Sequence, residues 1–534
     1  MKNSGKGLLL FLLAVIVIFM IGFFQYVCCI PINLHSGAFM FELLIIGLAV
    51  FFLIYGFITV PKQGKKIKLT ASLIVLTIFL VLFFFWMVMG TPYTFGLHNY
   101  RNQSVIKEVD FETIEEFDPN QVQLVDKNTA VQLGDRVFGT LGSDEVSQYE
   151  VGDDWVQIVL NDSLYRVTPV DFGGMFKYFV TRTTPGYITV DCESGEAKLV
   201  RSEGMRYMTS AYFNDNLERH LFLTNPTAIF GSPKFELDDN QKPFWVTPVY
   251  KVTWVGKTKD VKGVYVTDPV TGNSEYYDKD NVPKWVDNVY PVSVVYTQFQ
   301  QTKRYENGLF NWSNKGVVEF TDDYAYVQFD NNVWIYTGVT SVGKDESNVG
   351  FAYVNLRNGE VSYIRRAGAE EYSARSSAEG AVQQYHYTAI FPSMVNVRGI
   401  PTYFMGLVDG ANLIKNFAFV SYENYQTVAV GPTVEDAYRN YLRLIGESDK
   451  KEDANPETAE KDFVVSEVRI IVKNGNSVVL LLDENGQIYW YDLSGSYYAA
   501  SFIHEGDAVT ANVTSIGEIT EFIHIFPAED NTTE

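Results

Sequence analysis

The chain has 534 residues, 47 % of them hydrophobic and 15 % aromatic, with a formal net charge of −22. A surface that acidic repels nucleic-acid phosphates, so DNA and RNA are excluded as partners. The length exceeds one ordinary core and predicts several folded units.

Residues 1–90 hold three apolar runs, Gly7–Ile30, Ala38–Val60 and Leu69–Gly90. Each is long enough, as a helix, to cross a bilayer of about 30 Å. The expectation is therefore a three-helix membrane anchor over 1–90. Lysines orient it. Lys2 and Lys6 precede the first run, and Lys62, Lys65, Lys66 and Lys68 crowd the loop PKQGKKIK between the second and third. The turn PINLHSG between the first two has no Lys or Arg. By the positive-inside rule the N-terminus and the basic loop face the cytoplasm, and 91–534 lie outside as the exported part of a multi-pass cell-membrane protein. Glu42, inside the second run, is expected to reach the interface or to pack between helices. Of the three cysteines, Cys28 and Cys29 sit at the end of the first run and Cys192 stands alone. The large exported part therefore has no internal disulfide, which fits a bacterial domain relying on core size.

Residues 91–108 read as a polar connector. From 109 to 445 the chain alternates strand-like runs with Gly, Asn and Asp turns, which predicts an α+β domain rich in antiparallel sheet. One pattern recurs: strand, acid or Asn, a turn ending in Gly, strand. It stands at YITVDCESGEAKLV (187–200), VYVTDPVTGNSEYYD (264–278), AYVNLRNGEVSYI (352–364) and VVLLLDENGQIYWYD (478–492). Each predicts a hairpin whose glycine, at 195, 272, 359 or 486, supplies positive φ. Helices are expected over Pro291–Tyr305, Ala367–Gln384 and Thr433–Leu444, the last capped by Thr433. Residues 446–462, GESDKKEDANPETAEKD, predict a charged linker. Residues 463–527 show about five strands with short turns, the pattern of a small OB- or SH3-like β-barrel. Residues 528–534 read as a disordered tail.

The stretches ITVDCESGEAKLV and VYVTDPVTGNSEYYD resemble PepSY-type modules of bacterial exported proteins. A broader resemblance rests on VSQYEV (146–151), PGYITVD (185–191), the segment 248–278, VPKWVDNVYP (282–291), TGVTSVGKDESNVGF (337–351), AGAEEYSARSSAEGAVQ (367–383) and PTYFMGL (401–407). Together these resemble an uncharacterised family of membrane-anchored surface proteins from low-GC Gram-positive bacteria. The resemblance implies a multi-pass anchor, a large surface domain and a cell-envelope or cell-shape role. It implies no catalytic residues.

Catalytic and metal motifs are mostly missing. The six histidines are scattered without HExxH or helical ligand spacing, and GxSxG, Walker A and GxGxxG are absent. Asp171–Gly173 spells DFG, but the glycine loop and catalytic loop of a kinase are not there. Ser341 and Lys344 fit SxxK, the nucleophile and base of serine acyl-transfer enzymes, although Gly343 and the following charged residues favour an exposed loop. Asp345, Glu346 and Ser347 in that loop, with Arg365, Arg366, Glu370 and Glu371, form a candidate polar binding patch that hairpin neighbours can gather. The turns LDDN (237–240) and LDEN (482–485) offer carboxylates for Ca²⁺ without completing an EF-hand. The leading reading is a membrane-anchored, non-enzymatic scaffold, binding or regulatory protein of the cell envelope. Its expected partners are membrane lipids and an envelope protein or peptide, with no nucleic acid, cofactor or metal. The alternatives are an envelope hydrolase or acyl-transfer enzyme using Ser341 and Lys344, and an extracytoplasmic ligand sensor.

Overall fold

The computed structural model describes residues 15–16, 19–59, 66–119, 125–342, 347–449, 459–473, 476–493, 502–514, 517 and 519–526. Lys2, Lys6, Lys62 and Lys65, most of the expected linker and the expected tail lie outside the described residues. Lys66 and Lys68 fall in a helix whose side chains there are not described.

The membrane anchor is the first expectation to be corrected. Among the described residues no single helix is long and apolar enough to cross a membrane. The helices Gly37–Thr59 and Lys66–Val88 are described with their side chains over Gly37–Phe51 and Leu73–Val88. The first apolar run is helical over Phe19–Cys28 and stops there. Its stop has a local cause. Cys29 adopts φ 51°, a left-handed turn, and Pro31 cannot continue a helix. Leu73–Val88 and Pro92–Arg101 pass the length and composition test only as a pair bent by 55°. Gly90, at φ 77°, and Pro92 make that bend.

The described residues are mostly in antiparallel sheet, in five sheets, and the chain divides into two compact units, 1–441 and 442–534. Four sheets belong to the first unit. One runs Tyr149–Val151, Ser163–Phe172, Thr184–Asp191, Ala197–Met205, with Val156–Leu160 also on the second strand. A second is built on Pro243–Thr253 and Thr258–Thr267. The largest has seven strands around Asn332–Ser341 and Ser347–Asn355, and Ile106–Glu108 joins its edge in parallel beside Val361–Ile364. The fourth is centred on Ile400–Val408 and Ile414–Ser421. The helix Val292–Glu306 lies against two of these sheets, at Thr258–Thr267 and Val318–Phe320.

The recurring turns form hairpins in four different sheets. In three of them one construction repeats: the side chain of Asp191, Asp268 or Asn355 accepts two backbone N–H groups of its own turn. The backbone N–H of Gly195, Gly272 or Gly359 then donates to that residue's carbonyl at 3.0, 2.8 and 2.9 Å. These glycines sit at φ 72°, 76° and 74°, which any side chain would strain. The turns LDDN and LDEN are explained the same way. Asp238 Oδ1 accepts from the N–H of Asn240 and Lys242, and Asp483 Oδ1 from Asn485 and Gln487. Their carboxylates serve the turn, and no metal-holding cluster occurs among the described residues.

Tyrosine richness also has a structural reason. Tyr336, Phe351, Tyr353, Tyr403 and Tyr422 are fully buried together, with ring centroids 5.3–6.4 Å apart in tilted and edge-on pairs. Each hydroxyl reaches an acceptor: Tyr353 donates to Met394 O, Tyr403 to Ala369 O and Tyr422 to Arg366 O.

The second unit carries the fifth sheet, ordered Ile488–Asp492, Asn476–Asp483, Ala459–Lys473, Ala508–Val513, Ile519–Phe526. Its two end strands form no ladder with each other among the described residues. The strands expected over 463–527 are present, and the two outer ones approach each other: Trp490 N donates to Gly517 O at 3.0 Å and the rings of Tyr491 and Phe522 stand 5.1 Å apart. The long strand Ala459–Lys473 serves two neighbours in turn, Ala508–Val513 through its first half and Asn476–Asp483 through its second.

Candidate functional site

A cleft of about 660 Å³ opens within the first unit. One wall comes from the strands Val156–Leu160 and Ser163–Phe172, which contribute Val156 and Arg166, with Trp155 just before them. Tyr324 and Tyr326 flank it from the seven-stranded sheet. The fourth sheet and the segment before it contribute Phe391, Phe404, Met405 and Val408, with Thr388, Ser393 and Asp409 beside them. The helix Lys127–Phe138 begins at the rim, where Asp126 Oδ1 caps it by accepting from Thr129 N at 2.9 Å. Thr129 Oγ1 donates to Asn412 O, tying this helix start to the turn that forms the far rim. Trp155 is held against the same helix at Gly134, where an added Cβ would stand 2.5 Å from the indole ring. Gly134 is thus required by close approach.

Arg166 is the unusual residue. It shares a strand face with Leu164 and Val170, both in the hydrophobic core. It is only 5 % exposed, yet among the described residues no carboxylate pairs with it. Its contacts are a 3.4 Å hydrogen bond from Nε to Val125 O and the face of Tyr326, 5.3 Å from guanidinium carbon to ring centroid. The neighbouring charges are engaged. Lys234 Nζ pairs with Asp154 at 2.8 Å, and Arg375 Nε donates to Ala389 O. Asp409 Oδ1 accepts from the N–H of Leu413 and Ala411, and these bonds with Lys415 hold its carboxyl below the usual carboxylate range. Burial pushes the phenols of Tyr324 and Tyr326 up, so both remain neutral donors.

The residues singled out from sequence lie elsewhere. Ser341 ends the strand Asn332–Ser341, half-buried opposite Val318. Lys344, Asp345 and Glu346 are outside the described residues, and of Ser347 only the backbone, paired opposite Ala369, is described. Arg365 turns away to Glu108 at 2.9 Å, and Arg366 to Glu423 at 2.7 Å. Glu370 stands just before the helix Glu371–Ala381. Glu371 points inward, where its Oε1 accepts from Tyr336 OH at 2.8 Å and Oε2 from Asn348 Nδ2 at 3.2 Å. Burial raises its carboxyl pKa against these hydrogen bonds. The expected patch is therefore not assembled among its described members: two arginines pair separately on the surface and one glutamate is a buried anchor. Asp171 of the DFG triplet accepts from Ser210 Oγ at 2.6 Å and burial pushes it up to about 6. Glu42 accepts from Gln25 Nε2 inside the N-terminal helices.

Sequence reasoning passed over Arg166, Trp155 and Tyr326. A signal existed: in SLYRVTPVDF the inward period-2 positions are Leu164, Arg166, Thr168 and Val170, and a charge among them stands out.

No family model matches this chain, and no curated protein matches it. The PepSY-type resemblance accordingly finds no support. Among solved structures, a glycoside hydrolase is similar at 9 % identity, with 68 % of this chain and 94 % of that one covered and a TM-score of 0.17. A DNA polymerase sliding clamp from Caulobacter crescentus is similar at 8 % identity over 73 % and 95 %, with a TM-score of 0.07. At such scores neither likeness carries an argument.

Proposed function

We propose that this protein is a non-enzymatic binding protein that holds a small organic molecule in the cleft beside Trp155. The observation that supports the reading is the cleft itself: about 660 Å³, with Trp155, Tyr324, Tyr326, Phe391 and Phe404 in a lining that also carries eight charged side chains. A cleft of roughly 300–1,000 Å³ is of the size that holds a single small ligand. No observation favours the acyl-transfer alternative, since Ser341 ends a strand and Lys344 lies outside the described residues. A scaffold role by itself would not call for a cleft.

A thermal-shift screen of small metabolites on the full chain tests this. The expected result is a stabilising compound whose affinity falls about tenfold in Tyr324→Ala and in Phe391→Ala, each of which removes one aromatic contact. A screen without any stabilising compound, or one whose hits ignore both substitutions, would sink the proposal.

A further inference from the structure

We propose that the ligand of this cleft carries one carboxylate, which docks on Arg166, and an aromatic or apolar body that lies against Trp155 and Tyr324. This rests on the cleft being a binding site and names the chemistry of what fills it. A guanidinium stays charged under all ordinary conditions and presents five N–H donors in a planar fork. Here Nε is spent on Val125 O through a 3.4 Å bond, and the ring of Tyr326 covers one face. The two terminal nitrogens remain, and Arg166 lines the cleft. A charge that is nine-tenths buried and unpaired is strongly disfavoured. A planar anion reaching both terminal nitrogens would remove that penalty through paired, charge-assisted bonds.

The charge balance around it selects a monoanion. Lys127, Arg166, Lys234 and Arg375 face Asp126, Asp154, Asp323 and Asp409, and the carboxylate nearest Lys234 already pairs with it. A dianion such as phosphate would bring a second charge into sight of Asp154 and Asp323, two of the carboxylates that line the cleft. Trp155, Tyr324, Tyr326 and Phe391 in the lining suit a ring-bearing acid.

Calorimetry on the full chain at fixed ionic strength decides the matter with matched probes: benzoate against benzamide, 4-hydroxyphenylacetate against its amide, and inorganic phosphate. The acid of each pair should bind about 30-fold tighter than its amide, the size of one charge-assisted contact. Arg166→Met should erase that ratio, and Arg166→Lys should retain part of it. The acid–amide comparison needs no variant, so it stands even if Arg166→Met does not fold. Equal binding of acid and amide would overturn the carboxylate assignment while leaving the cleft a binding site. Phosphate binding tighter than every acid would overturn the monoanion assignment. If none of the aromatic probes binds, both the assignment and the binding-site reading fail, and Arg166 is a strut between its strand and Val125.

Discussion

Two buried carboxylates show how much single residues set here. Glu236 is wholly buried, its Oε2 accepting from Asp287 N at 2.8 Å and its Oε1 from Asn288 N at 3.0 Å. Asp287 is itself buried, and its Oδ2 accepts from Val159 N at 2.7 Å. The segment carrying Asp287 is clamped by Arg357, which donates to the carbonyls of Val282, Pro283, Lys284 and Val286. Burial pushes Glu236 up to about 7, and burial, then the charge of Glu236, raises Asp287. The sign follows from proton counts. Between the unfolded carboxylate range near 4.5 and about 7 the folded chain keeps a proton that the unfolded chain has lost. Stability therefore falls as pH rises through that window and levels above it. Asp171, raised to about 6, adds in the same direction. Urea unfolding should give a stability at pH 5.5 higher than at pH 8, by on the order of 2 kcal/mol. A flat profile, or one rising with pH, would show that both carboxylates are ionised in the fold.

At the scale of elements, Glu371 fixes a helix to a sheet. It opens the helix Glu371–Ala381 and binds Tyr336 and Asn348 on two adjacent strands. Gly338 lies directly beneath, where a Cβ would collide with the Glu371 carboxylate. Glu371→Ala leaves a buried hydroxyl and a buried amide unpaired, and should cost about 2–4 kcal/mol in chemical denaturation. Glu371→Gln keeps an acceptor for Tyr336 and should recover about half; equal losses in both variants would argue against the hydrogen bonds as the cause. Legibility also divides at this scale. The hairpin turns were readable because an Asx side chain and a positive-φ glycine are local requirements. The helices Val292–Glu306 and Val434–Asp449 were readable from apolar spacing and, for the second, from Thr433, whose Oγ1 accepts from Asp436 N. The third expected helix starts at Glu371 rather than Ala367, because Gly368–Ala369 pairs with Ser347 and Asn348 as a strand. The helix Lys127–Phe138 was missed because Gly134 interrupts its pattern, for a reason that lies in Trp155 and not in the helix. The cleft was illegible for a related reason. Its walls come from segments far apart in sequence, whereas the SVGKDES loop drew notice by local composition alone.

At the scale of the molecule, the division into 1–441 and 442–534 places the proposed binding cleft within the first unit. Among the described residues, those that line the cleft run from Val125 to Asn412. The second unit has its own apolar centre, including Phe463, Val465, Leu481, Tyr489, Val509 and Phe522, with Phe463 and Tyr489 stacked 4.1 Å apart. A unit with a separate core and a complete ladder of hydrogen-bonded strands is expected to unfold as its own cooperative step. A chain shortened to 1–449, which keeps the helix Val434–Asp449 whole, should bind the cleft ligand within about twofold of the full chain, because no lining group is lost. Calorimetry of both chains checks the affinity, and scanning calorimetry of the full chain should show a transition that disappears on shortening. A large loss of affinity in the shortened chain would mean that the second unit stabilises or completes the site. That result would replace a binding unit with an appended sheet by a single two-part receptor.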